Sequence, residues 1–139
     1  MPTEEMKTYQ QRKCKTFFIS LHLKTSKFNQ MEYKPRIADK MLAKKLASKG
    51  AILIEGPKWC GKTTTAEQQA KSILYMDNPA SLETNLQMAE IEPSVLLDGD
   101  TPRLIDEWQL APKLWDAIRF EVDHRHEVGQ FVLTGSAVP

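Results

Sequence analysis

An α/β layered domain built on a parallel sheet is the fold class this sequence predicts, and three observations predict it. Four short apolar runs, at 51–54, 73–76, 104–105 and 130–133, alternate with stretches of helical character, the order that arises when parallel strands are joined by crossover helices. The first run, Ala51-Ile-Leu-Ile54, shows no polar alternation, as in a strand covered on both faces. Glycines at 56 and 61 stand between that run and a helix-forming stretch, where a strand turns into a helix.

From Arg36 to Lys49, Ile37, Met41, Leu42 and Leu46 recur at helical spacing, with Lys40, Lys44, Lys45 and Lys49 on the other side and Gly50 as a stop. This predicts an amphipathic helix. After the first strand, residues 62–72 carry good helix formers and lead to Ile73-Leu-Tyr-Met76, closed by Asp77-Asn-Pro79. Ser81-Leu-Glu-Thr84 then reads as a helix start, with Leu82, Leu86 and Ala89 on one face until Pro93 interrupts. Gly99, two residues after Val95-Leu-Leu97, favours a short helix over a strand there. Leu104-Ile105 runs directly into Asp106-Glu107, Pro112 suits a first helical turn, and Leu114, Trp115, Ile118 and Val122 form the next apolar stripe. Gln130-Phe-Val-Leu133 is the fourth strand, running into Thr134-Gly-Ser136.

The chain has 139 residues, 41% of them apolar and 27% charged, with a formal net charge of +1. That suffices for one domain with its own core and excludes a disordered tail. No apolar run exceeds four residues, against the roughly 20 that a spanning helix needs, so no membrane partner is expected. Cys14 and Cys60 make neither a disulfide framework nor a metal cluster, which points to an intracellular, cytoplasmic chain. His124 and His126, two apart on a helix, fall on different faces and do not make a zinc site. Residues 1–35 hold seven Lys or Arg against three acids, +4, leaving 12 basic and 15 acidic residues, −3, in the remainder. Residues 1–30 accordingly read as a basic extension, poorly ordered, ahead of a domain over 31–139. Nucleic acid is a partner class for this head on charge alone; its scattered cations read more simply as a solvated extension.

Gly56-Pro-Lys-Trp-Cys-Gly-Lys-Thr63 is a complete phosphate-binding loop pattern: glycine, four residues, glycine, lysine, then serine or threonine. Such a loop turns backbone N–H groups toward a common centre at a helix start, where an anion is favoured. Gly56, Pro57, Lys58, Trp59, Cys60, Gly61, Lys62, Thr63 and Thr64 are therefore the candidate nucleotide-binding residues, Lys62 for the β- and γ-phosphates and the Thr63 hydroxyl for Mg²⁺. Magnesium also takes a carboxylate from the end of a neighbouring hydrophobic strand, which Leu104-Ile105-Asp106 supplies. Glu107 is then the group that orients or deprotonates the attacking water. Either Thr134 or Ser136 would bring a polar group from the fourth strand to the γ-phosphate or the water, with Thr134 favoured because it directly follows the apolar run. Trp59, Trp108 and Trp115 read as packing or adenine-proximal residues.

Four segments together, Gly56–Thr63, Leu-Ile-Asp-Glu-Trp-Gln at 104–109, Leu-Trp-Asp-Ala-Ile-Arg at 114–119 and Leu-Thr-Gly-Ser-Ala at 133–137, resemble the prokaryotic AAA-type P-loop ATPases whose core precedes a C-terminal domain of unknown function. The resemblance runs from about Tyr33 to Pro139. It implies a three-layer P-loop sandwich of the additional-strand type, in which another strand separates the phosphate-loop strand from the Asp-Glu strand. It further implies ATP as ligand, Mg²⁺ as cofactor and ATP hydrolysis, with Gly61, Lys62 and Thr63 at the phosphates (the Walker A pattern), Asp106 and Glu107 at the metal and water (Walker B), and Thr134 as a polar sensor. Chains of that family continue well past the fourth strand, so the sequence reads as an ATPase domain incomplete at its C-terminus. Without a fifth strand one sheet edge is expected to be open, and the alternation of Ile19, Leu21 and Leu23 with polar residues is a pattern suited to covering it. A passive nucleotide-binding module is the competing reading, since turnover in such proteins often needs an arginine from elsewhere. The five arginines show no cluster of the kind a small-molecule phosphotransferase uses, and no guanine-reading motif is present. Oligomeric state is not legible in these residues.

Overall fold

Each of the four apolar runs becomes a strand in the computed structural model of the protein, which describes residues 32–136. The order is α1 (Ile37–Leu46), β1 (Ala51–Gly56), α2 (Lys62–Glu67), β2 (Ser72–Tyr75), α3 (Leu82–Ile91), a 3₁₀ turn over Pro93–Leu97, β3 (Arg103–Asp106), a second 3₁₀ turn over Trp108–Leu110, α4 (Lys113–Arg125) and β4 (Phe131–Ser136). From Pro35 onward the described residues make one unit. The basic head, residues 1–30, and the alternation at 19–24 lie outside the described residues.

The strands form one all-parallel sheet in the order β1-β4-β3-β2. β4 lies between the strand that carries the glycine loop and the strand that ends in Asp106, as the resemblance implies. Strand alternation assigns the side chains to two cores. Ile52, Leu104 and Val132 sit in register across β1, β3 and β4; with Ile54 they pack against Leu42 and Leu46 of α1 and Ala66 of α2. On the other face Leu53, Leu74, Ile105, Phe131 and Leu133 pack with Met76, Ala89, Leu97, Leu114 and Ile118, under α3, the first 3₁₀ turn and α4. Helices on both faces make the three layers, and each fully buried Leu, Ile or Phe contributes about 1.5–3 kcal/mol.

Four details depart from the sequence reading. Among the described residues β1 pairs with β4 alone, so Ala51–Ile54, though packed on both faces, is only half-buried at the sheet edge. Ile37 and Met41 are exposed, at 82% and 54%, and only Leu42 and Leu46 of the α1 stripe are buried. α2 stops at Glu67, six residues long. Gln68–Ala70 are good helix formers, but the chain must leave the helix there so that Lys71 N–H can reach the Pro102 carbonyl (2.8 Å) and start β2 beside β3; pairing overrides propensity. Finally, Ser81 heads α3 without capping it, its hydroxyl instead accepting from Asn85 Nδ2 (3.3 Å).

Tyr75 ends β2 with its hydroxyl donating to Glu67 Oε1 at 2.5 Å. That hydrogen bond, then partial burial, then the charges of Glu67 and Asp106 push the phenol from 10.0 up to about 12. The folded state thus holds this proton more tightly than the unfolded chain, so the contribution is complete below pH 10 and is lost as pH rises from 10 toward 12. Tyr75→Phe is expected to flatten the fall in melting temperature across that window, measured by thermal denaturation at stepped pH. Because the side chain is 38% exposed, solvent screening keeps the effect small.

Candidate functional site

The glycine loop leaves β1 at Gly56 and ends on Gly61, the residue before α2, whose φ of +92° is the left-handed conformation that glycine adopts freely. A Cβ there would also meet the guanidinium of Arg36, 1.9 Å from Nη1. Between the glycines the loop wraps around the Lys62 ammonium, which donates to the carbonyls of Gly56 (2.8 Å) and Pro57 (2.7 Å). Lys62 is only 9% exposed, so its charge is held at a defined point inside the turn. Trp59, at φ +62°, is 99% exposed; it does not pack, whereas Trp108 and Trp115 do, their rings 5.2 Å apart.

Strand alternation puts Asp106 on the same face as Leu104, the face that α2 covers. Thr63, on the first turn of α2, therefore reaches it from 43 residues away, and its hydroxyl donates to Asp106 Oδ1 at 2.7 Å. Asp106 and Thr134 are register partners on β3 and β4, and the Thr134 hydroxyl donates to the same oxygen at 2.5 Å. Asp106 is buried and so is Thr134. Two hydroxyl donors offset part of the cost of burying that carboxylate.

The next residue, Glu107, turns the chain sharply, with φ +56° and ψ +44°. A left-handed non-glycine residue costs of order 1–3 kcal/mol and persists where its surroundings enforce it. Here it ends β3 and starts the second 3₁₀ turn, turning the Glu107 carboxylate to where Gln109 Nε2 donates to one oxygen and Ser136 Oγ stands 3.5 Å from the other.

These groups line one cavity of about 610 Å³ at the C-terminal ends of the strands, where ligands bind in open parallel sheets. Lys58, Trp59, Gly61, Lys62, Thr63, Thr64, Asp106, Glu107 and Ser136 all border it. Thr134 does not: the side chain favoured as the polar neighbour of a ligand faces Asp106, and Ser136 lines the space instead. Gln109, Leu110 and Asp77 also line it and were not singled out by sequence reasoning. For Asp77 a signal existed, since it follows β2 as Asp106 closes β3. Gln109 stands in the 104–109 segment that carries the resemblance, but without a role of its own.

Oxygen donors dominate the acidic end of the cavity, and the hydroxyl of Thr63 beside the carboxylate of Asp106 fits a hard divalent cation that brings most of its own ligands. No group of three or more His, Cys, Asp or Glu among the described residues is arranged to hold a metal by itself. No helix among them is long and apolar enough to cross a membrane.

No curated protein and no solved structure matches the chain. The family model described as AAA domain matches residues 48–139, two thirds of the chain, from just before β1 through the loop, the acidic strand and β4. By that match, and with the glycine loop and the acidic pair lining one cavity, the chain belongs to the AAA domain family and is a nucleotide-binding module of that type.

Proposed function

We propose that the domain binds ATP with Mg²⁺ and hydrolyses it. One observation carries the reading: Thr63 and Asp106, 43 residues apart, meet at 2.7 Å on the wall of the cavity that Lys62 and Glu107 also line. Nothing in the core requires a hydroxyl and a carboxylate to meet there, whereas a phosphate-bound cation does. Adenine as the base rests on the family.

In this reading the loop N–H groups and the Lys62 ammonium hold the β- and γ-phosphates, while Thr63 and Asp106 hold the cation. Magnesium bound there supplies charge neutralisation at the phosphate oxygens. Glu107 accepts the proton of the water whose oxygen attacks the γ-phosphorus, and ADP departs with the bridging oxygen. Thr134 keeps Asp106 oriented from the buried side.

Titration with a fluorescent ATP analogue, with and without Mg²⁺, alongside a phosphate-release assay tests the proposal. Binding tightened by Mg²⁺ together with slow release is expected. Binding without release would reduce the domain to a passive module, and no binding would remove the reading. Thr63→Val keeps the shape of the side chain but not the oxygen. It is expected to leave metal-free binding within about twofold and to lower the Mg²⁺-dependent gain about tenfold, the equivalent of about 1.4 kcal/mol.

A further inference from the structure

We infer that Gln109 is a positioning residue for Glu107, seated by the bare backbone of Gly135, and that it sets how fast the domain turns over without setting how tightly it binds. The inference rests on the reading of Glu107 as the group that activates water.

Three observations converge on it. Gln109 Nε2 donates to Glu107 Oε2, two residues back across the left-handed turn. The other donor, Ser136 Oγ, is 3.5 Å from Glu107 Oε1, at the outer limit of a hydrogen bond. The Glu107 carboxylate is therefore oriented chiefly by one amide. The other end of that amide, Gln109 Oε1, is buried with no hydrogen-bond partner. An unsatisfied buried acceptor costs about 1–3 kcal/mol, and packing alone would be better served by an apolar side chain. A glutamine buried at that cost is explained by what its nitrogen holds.

Gly135 is the third observation. A Cβ on it would stand 2.8 Å from Gln109 Oε1 and 2.9 Å from Trp108 Nε1, so glycine leaves room for both the amide and the indole in this pose. Gly135 follows Thr134, the residue that bonds Asp106. Two consecutive residues of β4 thus support the acidic pair of β3, one orienting the first carboxylate and the other making space for the amide that orients the second. A free Glu107 would sample several rotamers. Misplacement of a base by about 1 Å can cost on the order of 100-fold in rate.

The test measures ATP turnover and nucleotide affinity in four variants, with circular dichroism and melting temperature confirming the fold. Gln109→Met, nearly isosteric without the donor, is expected to lower kcat about 30- to 100-fold while KM and Kd stay within about twofold. Gly135→Ala is expected to lower kcat in the same direction by crowding the amide and the Trp108 indole. In a Glu107→Gln background, adding Gln109→Met is expected to cost less than twofold further, because the group it positions is already gone. Turnover in Gln109→Met within twofold of the unaltered chain, or a loss shared equally by binding, overturns the inference. A full additional loss in the Glu107→Gln background overturns it as well. Turnover that is absent from the unaltered chain, or that Glu107→Gln leaves intact, removes the reading of Glu107 itself and the inference with it, an outcome the single variants distinguish.

Discussion

Lys62→Ala is expected to weaken nucleotide binding about 10- to 100-fold, read as the shift in Kd for a fluorescent ATP analogue. The ammonium sits inside the loop, held by the carbonyls of Gly56 and Pro57, so it is already immobilised where a phosphate would meet it. Little entropy remains to be lost when a ligand arrives. Two of its three N–H groups are given to those carbonyls, which leaves one for a phosphate oxygen; a hydrogen bond to a charged group contributes about 1.5–3 kcal/mol, a factor of about 10 to 100. The fold should tolerate the change: the two carbonyls lie on exposed or half-exposed residues, where water replaces the ammonium, and stability is expected to move by about 1 kcal/mol or less. A Kd within threefold of the unaltered chain would mean that Lys62 serves only to brace the loop.

The second large effect is on the chemical step. Glu107→Gln is expected to reduce phosphate release by about 100- to 10,000-fold, the range a positioned general base supplies, with Kd for ATP and Mg²⁺ within about threefold. The substitution is nearly isosteric, and its amide oxygen can still accept from Gln109 Nε2, so the left-handed turn and the 3₁₀ segment behind it need not move. What disappears is the capacity to take a proton. Release that continues at the unaltered rate would show that another group or solvent accepts that proton.

Much of this site was legible because its signals are local. Gly56–Thr63 is a contiguous pattern, and Leu104–Asp106 is an apolar strand end followed at once by a second carboxylate, Glu107. The four strands followed from apolar runs bounded by turn residues. The relations that were not legible depend on pairing across distant segments. Thr134 faces Asp106 because β3 and β4 are in register at those residues, and no feature of 133–136 by itself specifies that register. Gln109 reads as a polar residue in a turn until Gly135 is placed beside it. β1 looks like a central strand by composition, yet its burial is set by its neighbours, and among the described residues it has one. The separation of β1 from β3 by β4 came from family resemblance, since strand order is not encoded in local periodicity.

That pairing has a consequence in time. Ala51 and Phe131, at one end of the β1–β4 ladder, are 80 positions apart, whereas β2 and β3 pair across 31, as Ser72 with Arg103. At about 5–20 residues per second, β1 would leave the ribosome roughly 4–16 s before the strand it pairs with. Closing the longer loop carries only a slightly larger entropic cost, so the delay is set by synthesis. In the interval Ala51–Ile54 is an apolar strand with no ladder beside it, and the glycine loop hangs from an unanchored end. The β2–β3 pair can form while the cavity at the strand ends cannot, and the last ladder to close is the one that gives the loop its position.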